Sequence, residues 1–262
     1  MTRTVTILGC GSSGGVPRLG GKWGACDPEN PKNRRLRCSI LIEQTAPEGT
    51  TRVLIDTSPD MRAQLLNAEI GALDAVVYTH SHADHVHGLD DLRMIVINMR
   101  KHLPVWADAT TKADLLKRFG YVFETPAGSS YPPILDMNEI TGAFAITGAG
   151  GEIDLTPFEV AHGSINALGF RVGDMAYLPD VSDIPDTAWN HLHNLKLWIV
   201  DALRYDPHSS HTHVEKTLGW IKVAKPEHSI ITNMHVDLDY ATLQSELPPG
   251  VEPAFDMMTK II

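Results

Sequence analysis

Residues 74–88, DAVVYTHSHADHVHG, place potential metal ligands directly after a short apolar run. An apolar run of this length is typical of a buried β-strand, and extended backbone beyond it puts His80 and His82 on one side. Asp84 and His85 are then free to turn toward a second ion. Imidazole nitrogens and carboxylate oxygens are ordinary ligands of zinc, manganese and iron. A solvated histidine-rich loop is the alternative, but the compact H-x-H-x-D-H spacing at a strand end favours a metal site.

Short apolar runs alternate with glycine- and proline-rich turns over the 262 residues, which indicates a fold rich in strands. A helix is predicted from Ser58, a capping residue followed by Pro59 and by Asp60 near the positive end of the helix dipole; it ends at Gly71. The other predicted helices span 110–123, 185–195, 213–223 and 240–247. Strands are predicted at 4–8, 40–42, 53–55, 75–78, 153–160, 168–172, 175–178, 197–200 and 229–231. Helices that follow single strands or strand pairs favour two packed sheets with helices outside over a doubly wound sheet.

The composition predicts one globular domain spanning residues 1–262, because no change of composition marks a boundary. A formal net charge of -10 argues against long nucleic acids as partners, since binding their phosphates needs an excess of Lys and Arg. No apolar run has the length of a membrane span, and the first residues have no signal-peptide core. The three cysteines do not form a disulfide framework, which favours a cytoplasmic location. The oligomeric state is left open, and a homodimer is one option.

The H-x-H-x-D-H motif resembles the hallmark of the metallo-β-lactamase superfamily, and the likeness continues along most of the chain. Ala161-His162-Gly163 resembles the segment that carries the family's next ligand histidine. Tyr177-Leu178-Pro179-Asp180 resembles the strand end whose aspartate bridges two metal ions. Either residue alone is weak evidence, and their value comes from their order at strand ends. The resemblance implies a layered α/β fold, the metallo-β-lactamase-like four-layer αβ/βα sandwich, with two divalent metal ions, zinc or manganese, at one edge.

The last ligand of the family departs from its usual form in this chain. Relatives often have Thr-His after the final strand, whereas the matching pair here is Thr232-Asn233. His235 lies two residues further on, and in extended backbone it would share a side with Asn233. We therefore expect His235 to supply the missing imidazole, with the amide oxygen of Asn233 as the competing ligand.

Segments near both ends of the chain resemble the phosphodiesterase branch that includes phosphoribosyl 1,2-cyclic phosphate phosphodiesterase. They are residues 9–17 (GCGSSGGVP), 33–39 (NRRLRCS), 238–240 (LDY) and 247–250 (LPPG). This resemblance implies a small phosphorylated ribose or nucleotide as substrate, and a reaction that opens a cyclic phosphate on ribose. Members often carry a second, structural zinc on a cysteine cluster and a histidine. Only Cys26 remains here, with Val236 at the expected histidine position, so no structural zinc is expected.

The resemblance also implies a role for each candidate residue in a two-metal reaction. A hydroxide bridging the ions would attack phosphorus, and the departing ribose oxygen would need a proton. We expect Asp84 and His213 to be catalytic, with His213 as the proton donor because it best matches the family's histidine; His211 is the alternative. The expected ligands are His80, His82 and His162 for one ion, Asp84, His85 and His235 for the other, and Asp180 as the bridge.

Two other functions are compatible with the sequence. The same metal core serves hydrolases of other ester classes, which act on lactones, on thioesters or on the 3′ ends of RNA. The altered Thr232-Asn233 element would instead fit a relative that binds a nucleotide without turning it over. A substrate panel tests the first alternative, and a stoichiometric nucleotide complex without turnover would support the second.

Overall fold

Two seven-stranded β-sheets pack face to face in the computed structural model, which describes residues 1–262. The first sheet consists of β1 (Thr2–Gly9), β2 (Ser39–Ala46), β3 (Gly49–Ile55), β4 (Ala75–Val77), β5 (Leu103–Ala107), β6 (Leu135–Glu139) and β14 (Met258–Ile261). The second consists of β7 (Phe144–Gly148), β8 (Gly151–His162), β9 (Ile165–Val172), β10 (Met175–Leu178), β11 (Leu197–Asp201), β12 (His228–Thr232) and β13 (Val251–Pro253). Their spatial orders are β14-β1-β2-β3-β4-β5-β6 and β13-β12-β11-β10-β9-β8-β7.

Seven α-helices connect these strands, and most of them cover the outer faces of the sheets. They are α1 (Met61–Asn67), α2 (Ala83–Val86), α3 (Leu92–Met99), α4 (Ala109–Phe119), α5 (Asp186–Trp189), α6 (Val214–Ala224) and α7 (Tyr240–Glu246). Leu92 of α3 and Leu115 of α4 pack on the first sheet, whereas Ala188 of α5 and Trp220 of α6 pack on the second. The order helix, sheet, sheet, helix confirms the predicted four-layer αβ/βα sandwich.

Strand β3 shows why the sheets must be covered on both faces. Val53 and Ile55 point into the cluster between the two sheets, and Leu54 points into the cluster under α1, α3 and α4. All three side chains are fully buried. Successive side chains of a strand alternate between faces, so a continuous apolar run requires a hydrophobic layer on each side.

Helix ends and the shortest strands differ from the sequence-based expectation. Ser58 Oγ accepts a hydrogen bond from the Asp60 amide at 3.1 Å, but this turn precedes the helix, which begins at Met61. The helix expected over 185–195 is confined to α5. The residues after α5 are not helical, although they still bury Leu192 and Leu195. Strands β5, β6, β7, β13 and β14, each of which is no longer than five residues, were not predicted from the sequence.

One edge of the sandwich collects the loops that carry the candidate site. β10, β11 and β12 run parallel to one another, so the residues after them meet at the same end of the second sheet. The loop after β4 reaches this end from the first sheet, since the Leu168 amide of β9 donates to the Thr79 carbonyl at 2.9 Å. None of the helices combines the length and hydropathy needed to cross a bilayer.

Candidate metal centre

Four side chains from three separate segments converge at this edge. His80 and His82 follow β4, His162 ends β8, and Asp180 follows β10. One potential ligand atom from each of them lies within 4.8 Å of those of the other three. His82 is exposed and the other three are buried. Three imidazoles and one carboxylate form an ordinary donor set for a divalent metal ion.

Hydrogen bonds on the far side of two of the rings aim the ligand nitrogens inward. His162 Nδ1 donates to the Ser210 carbonyl at 2.6 Å, which leaves a lone pair on Nε2. His80 Nδ1 lies 3.0 Å from Thr79 Oγ1 and in the same way directs Nε2 inward. His82 faces the group through Nδ1, 3.1 Å from His162 Nε2. The rings of His80 and His162 are thus oriented by groups outside the set of potential ligands.

The unpaired polar atoms of this group fit a bound cation. His80 Nε2 is buried without a hydrogen-bond partner, and the nearest carboxylate oxygen, Asp180 Oδ2, is 3.9 Å away. A buried polar atom left unpaired costs free energy, so native proteins rarely keep one without a reason. A cation would satisfy the lone pairs that point at one another.

A second group of potential ligands lies beside these four, in the first turn of α2. The backbone of His82 is extended and precedes that helix, so the chain turns there and sends Asp84 and His85 away from His82. His85 Nε2 lies 3.1 Å from Asp180 Oδ1 and 3.6 Å from Asp84 Oδ2. The other oxygen of Asp180, Oδ2, lies 3.5 Å from His162 Nε2. The two oxygens of one carboxylate therefore face two different sets of ligands.

Asp56, at the end of β3, holds His85 and the strand-end loop in place. His85 Nδ1 donates to Asp56 Oδ2 at 2.7 Å. The amide and the hydroxyl of Thr79 each donate to the same carboxylate at 2.8 Å. This carboxylate–histidine pair is the usual support of a metal-binding imidazole, because it fixes both the tautomer and the ring orientation.

Burial and charge shift the pKa values of His80 and His85, one from each group of potential ligands, in opposite directions. Burial, reinforced by the neighbouring His85, lowers the pKa of His80 well below its ordinary value, which favours the neutral form that a metal ligand needs. Burial also lowers the pKa of His85, but the carboxylates of Asp180, Asp56 and Asp84 outweigh it and raise that pKa. The pKa of Asp180 is held low against burial, chiefly by His85. The carboxylates thus make the surroundings of His85 more negative than those of His80.

Asn233, and not His235, lies against this cluster. Asn233 is buried, and its Nδ2 lies 3.3 Å from Asp180 Oδ1. His235 Nδ1 instead lies 2.7 Å from Asp237 Oδ2, and its Nε2 contacts the guanidinium of Arg18. Asn233 has a φ of 60°, so the backbone is not extended there, and the expected common side for the two residues is lost. This geometry does not support His235 as the missing ligand.

His211 and His213 occupy different surroundings. His211 Nδ1 donates to Asp201 Oδ2 at 3.0 Å, and its ring centroid lies 4.7 Å from that of His162. Burial lowers the pKa of His211, but Asp201 and then Asp180 reverse this and raise it to about 9. His213 precedes α6, and its only hydrogen bonds are made by its backbone carbonyl. The structure therefore brings the alternative, His211, to the cluster and leaves His213 outside it.

Sequence reasoning missed Asp56 and Asp201, the two carboxylates that orient histidines. Both are fully buried, and both stand at the end of an apolar strand, in Leu54-Ile55-Asp56 and Ile199-Val200-Asp201. The strand-end position that drew attention to Asp180 applies equally to them. A charged residue that directly follows a fully buried strand is the signal that would have found both.

Comparison with known proteins places the chain in a family. Residues 51–234 match the model described as the beta-lactamase superfamily domain. A solved structure titled as a new diphosphatase from the PhnP family is 33% identical, has a TM-score of 0.89, and covers 100% of this chain and 98% of its own. Two more distant structures share the fold. Zinc-bound PqqB from Methylobacterium extorquens is 17% identical over 98% of this chain and 99% of its own, with a TM-score of 0.74. The short form of human tRNase Z is 15% identical over 98% of each chain, with a TM-score of 0.68.

A curated relative is longer than this chain. An octanoyltransferase of Porphyromonas gingivalis is 35% identical over 264 residues, which amount to 98% of this chain and 51% of the relative. The chain thus spans about half the length of that protein. The match to the family model and the PhnP-family structure confirm the resemblance carried by the H-x-H-x-D-H motif. The chain belongs to the metallo-β-lactamase superfamily of hydrolases.

Proposed function

We propose that this protein is a dinuclear metal-dependent phosphodiesterase that opens a cyclic phosphate on ribose, of the phosphoribosyl 1,2-cyclic phosphate or 2′,3′-cyclic nucleotide type. The observation that carries the proposal is the carboxylate of Asp180, whose two oxygens face His162 on one side and His85 on the other. A carboxylate between two ligand sets suits a pair of cations, and paired cations suit the displacement of an oxygen from phosphorus. The likeness to a PhnP-family diphosphatase supports a phosphate ester as the substrate.

The residues present fit two divalent ions, zinc or manganese. His80, His82 and His162 would hold one, and Asp84 and His85 the other, with Asp180 shared between them. Bound cations of this kind polarise a phosphoryl oxygen and lower the pKa of a water molecule by several units. The Asn233 amide lies beside the Asp84–His85 half, which has one imidazole where the other half has three.

Proton delivery is assigned to His211 on the ground of its position. Its Nδ1 is bound to Asp201 Oδ2, which orients the ring and leaves Nε2 as the nitrogen available to a substrate. In the proposed reaction a water oxygen forms a bond to phosphorus and the bond from phosphorus to a ribose oxygen breaks. His211 then gives its proton to that oxygen and regains one from solvent, which takes up the proton that the attacking water releases. Asp201 acts as a positioning residue, in the way that carboxylates orient catalytic imidazoles elsewhere.

Cleavage of a diphosphate bond is the second candidate. It is favoured by the 33% identical structure that is titled a diphosphatase and covers this chain completely. The same ligands would serve, because an oxygen is displaced from phosphorus in both reactions. Octanoyl transfer is not carried over to this chain, since the relative with that name is about twice as long.

The test is hydrolysis by metal-loaded protein, prepared separately with Mn²⁺ and with Zn²⁺. The panel contains bis(p-nitrophenyl) phosphate, 2′,3′-cyclic AMP, ADP-ribose, a lactone and a thioester. We expect turnover of the two phosphodiesters, lowered at least about 100-fold in the Asp84→Ala variant. Asp91→Ala, an exposed carboxylate seven residues along the chain, is the matched control and should keep the activity.

Three outcomes would overturn the proposal in different ways. Turnover of ADP-ribose without turnover of the cyclic phosphate would favour the diphosphatase candidate. Turnover of the lactone or the thioester alone would move the protein to another ester class. No turnover of any substrate, in protein shown to hold two ions, would favour a nucleotide-binding relative without catalysis.

A further inference from the structure

The residue between His80 and His82 is held by a helix that contributes no ligand. Ser81 Oγ donates a hydrogen bond to Asp114 Oδ2 of α4 at 2.6 Å. Arg118, one turn further along α4, donates from Nη1 to the Ser81 carbonyl at 2.5 Å. The hydroxyl and the carbonyl of Ser81 are therefore both bound to the same helix. We call Ser81, Asp114 and Arg118 the loop clamp.

The loop clamp is closed on itself and stands on a well-anchored helix. Arg118 Nη2 donates to the same oxygen of Asp114 at 3.2 Å, so the three residues form a ring of hydrogen bonds. Leu115, the neighbour of Asp114, is fully buried in the cluster under the first sheet. At the start of α4 the Asp108 side chain accepts from the Thr111 amide at 2.8 Å and caps the helix. The loop after β4 is thus tied to a helix whose position the core fixes.

Among the histidines of the metal centre, His82 is the one whose ring lacks a support of its own. His80, His162 and His85 each have a ring nitrogen in contact with an oxygen outside the set of potential ligands. The His82 ring is exposed, and its one hydrogen-bond contact is His162 Nε2, itself a potential ligand. A ring that nothing else orients takes its position from its backbone, and the residue before His82 is Ser81.

We propose that the loop clamp sets the affinity for the ion in the half of the centre that has three imidazoles. Asp114 and Arg118 act as positioning residues, because they fix the Ser81 peptide and with it the backbone of His82. A ligand that is already in place loses less conformational entropy when the ion binds. The inference rests on the metal site of the proposed function, but not on the reaction assigned to it.

The loop clamp contributes more to the position of the loop than to the stability of the fold. The side chains of Arg118 and Asp114 are 40% and 39% exposed. Ion pairs with this exposure add little to the free energy of unfolding, since water and salt screen them. Groups that hold a metal ligand from outside the site nevertheless affect metal affinity by about 10- to 100-fold. Loss of the clamp should therefore appear in metal binding and not in the stability of the metal-free protein.

The experiment is zinc binding in competition with a coloured chelator, which resolves the two binding steps. His82→Ala identifies the step that belongs to the half with three imidazoles. We expect Asp114→Ala to weaken that step by about tenfold or more and to leave the other step unchanged. Ser81→Ala should weaken the same step, and the Ser81→Ala/Asp114→Ala double variant should lose little more than Asp114→Ala alone, because both changes break one hydrogen bond.

The conservative variant Asp114→Asn separates position from charge. Its amide oxygen can still accept from Ser81 and Arg118, whereas its negative charge is gone. If the clamp acts by position, this variant should lose less than about threefold in zinc affinity. An equal loss in Asp114→Asn and Asp114→Ala would assign the effect to attraction between the carboxylate and the cation, and would overturn the inference.

Glu139→Ala is the matched control. Glu139 pairs with Lys112 of the same helix at 2.9 Å and with similar exposure, but it forms no hydrogen bond with Ser81 or with a potential ligand. Both zinc-binding steps should be unchanged in this variant. Urea unfolding of chelator-treated protein should give Asp114→Ala and Glu139→Ala similar free energies of unfolding, because each change removes one exposed ion pair.

Two further results would overturn the inference. The first is an unchanged zinc affinity in Asp114→Ala. The second is a metal-free Asp114→Ala protein that is unfolded or far less stable than Glu139→Ala, which would make the clamp a structural element. Because zinc affinity is measured without turnover, a clamp effect in a protein that hydrolyses no phosphodiester would remove the proposed function and leave this inference standing. Absence of zinc binding in the unmodified protein would remove both.

Discussion

The metal centre and the junction around Arg35 both tie the sheets' end loops together, but they differ in where the positive charge comes from. At the metal centre, His80, His162 and Asp180 turn acceptor atoms toward one another. At the junction, the fully buried guanidinium of Arg35 donates to the Leu238 carbonyl at 2.7 Å and the His235 carbonyl at 3.3 Å. It also donates to Asn33 Oδ1 at 3.2 Å. The Arg35 junction contains its own cation, the guanidinium, whereas the metal centre contains acceptors that suit a cation bound from solution.

The difference separates a structural junction from a ligand site. Buried acceptors cost free energy unless a donor or a cation pairs with them. Cys26 lies in the Arg35 junction, with its Sγ 3.8 Å from Arg35 Nη1. The same Sγ is within 3.4 Å of the Val236 carbonyl. A protein-borne guanidinium thus supports the loops in this region. Metal dependence should therefore be confined to the other site.

The largest effect is expected from Asp180→Ala, which removes the carboxylate between the two ligand sets. Both ions should bind more weakly, and kcat/KM for bis(p-nitrophenyl) phosphate should fall on the order of 1,000-fold or more. Metal content by mass spectrometry and steady-state kinetics check this. Asp174→Ala, an exposed carboxylate paired with Lys196, is the control. If Asp180→Ala still bound two ions tightly and kept full activity, Asp180 would not be a ligand shared by the two ligand sets.

The next effect is expected on stability, from Arg35→Met. The change removes three charge-assisted hydrogen bonds, although each acceptor keeps one other donor, so the free energy of unfolding should fall by roughly 3 kcal/mol. Urea unfolding of chelator-treated protein measures this without a contribution from bound metal. Arg34→Met, an exposed neighbour above the Trp23 ring, should cost less than about 1 kcal/mol. If the two variants lost the same free energy of unfolding, the buried guanidinium of Arg35 would not be what stabilises the junction.

A smaller effect is expected from Asp56→Asn, which alters the partner of His85 without removing a ligand. The affinity for the ion in the Asp84–His85 half should fall by about 10- to 100-fold, because the imidazole loses its orienting carboxylate. Competition with a coloured chelator should then show one weakened and one unchanged binding step. If both steps weaken equally, the two halves do not act as separate ligand sets.

The smallest effect concerns Asp239, which extends the Arg35 junction. Burial raises its pKa, but hydrogen bonds donated by the amides of Thr242 and Asp27 and by Asn33 Nδ2 lower that pKa to about 2. A depressed carboxyl pKa stabilises the fold above the unfolded value near 4, and the stabilisation is lost as the pH falls toward 2. Asp239→Asn should therefore cost about 1 kcal/mol at pH 7, discounted for its exposure, and less at pH 3. Urea unfolding at the two pH values measures the difference. A cost that grows toward pH 3 would contradict the assignment.

Local sequence was sufficient for the part of the site whose ligands are neighbours along the chain. The spacing of His80, His82, Asp84 and His85 after a short apolar strand predicted a metal site without reference to the rest of the chain. The four-layer fold was likewise accessible, because apolar strands that are buried on both faces require covering layers. Strands β5, β6, β7, β13 and β14 were not, since pairing with neighbours and not their own pattern defines them.

Only the tertiary structure shows where the residues of the open alternatives lie. The positive φ of Asn233 turns His235 toward Arg18, and no spacing rule reports a left-handed residue at that position. His211 is held beside the cluster by Asp201, which ends a strand ten residues earlier. Asp56 meets His85 across 29 residues of chain. Pattern within a strand or helix turn is fixed by backbone geometry, whereas these pairs form only when separate loops are packed at the same sheet edge.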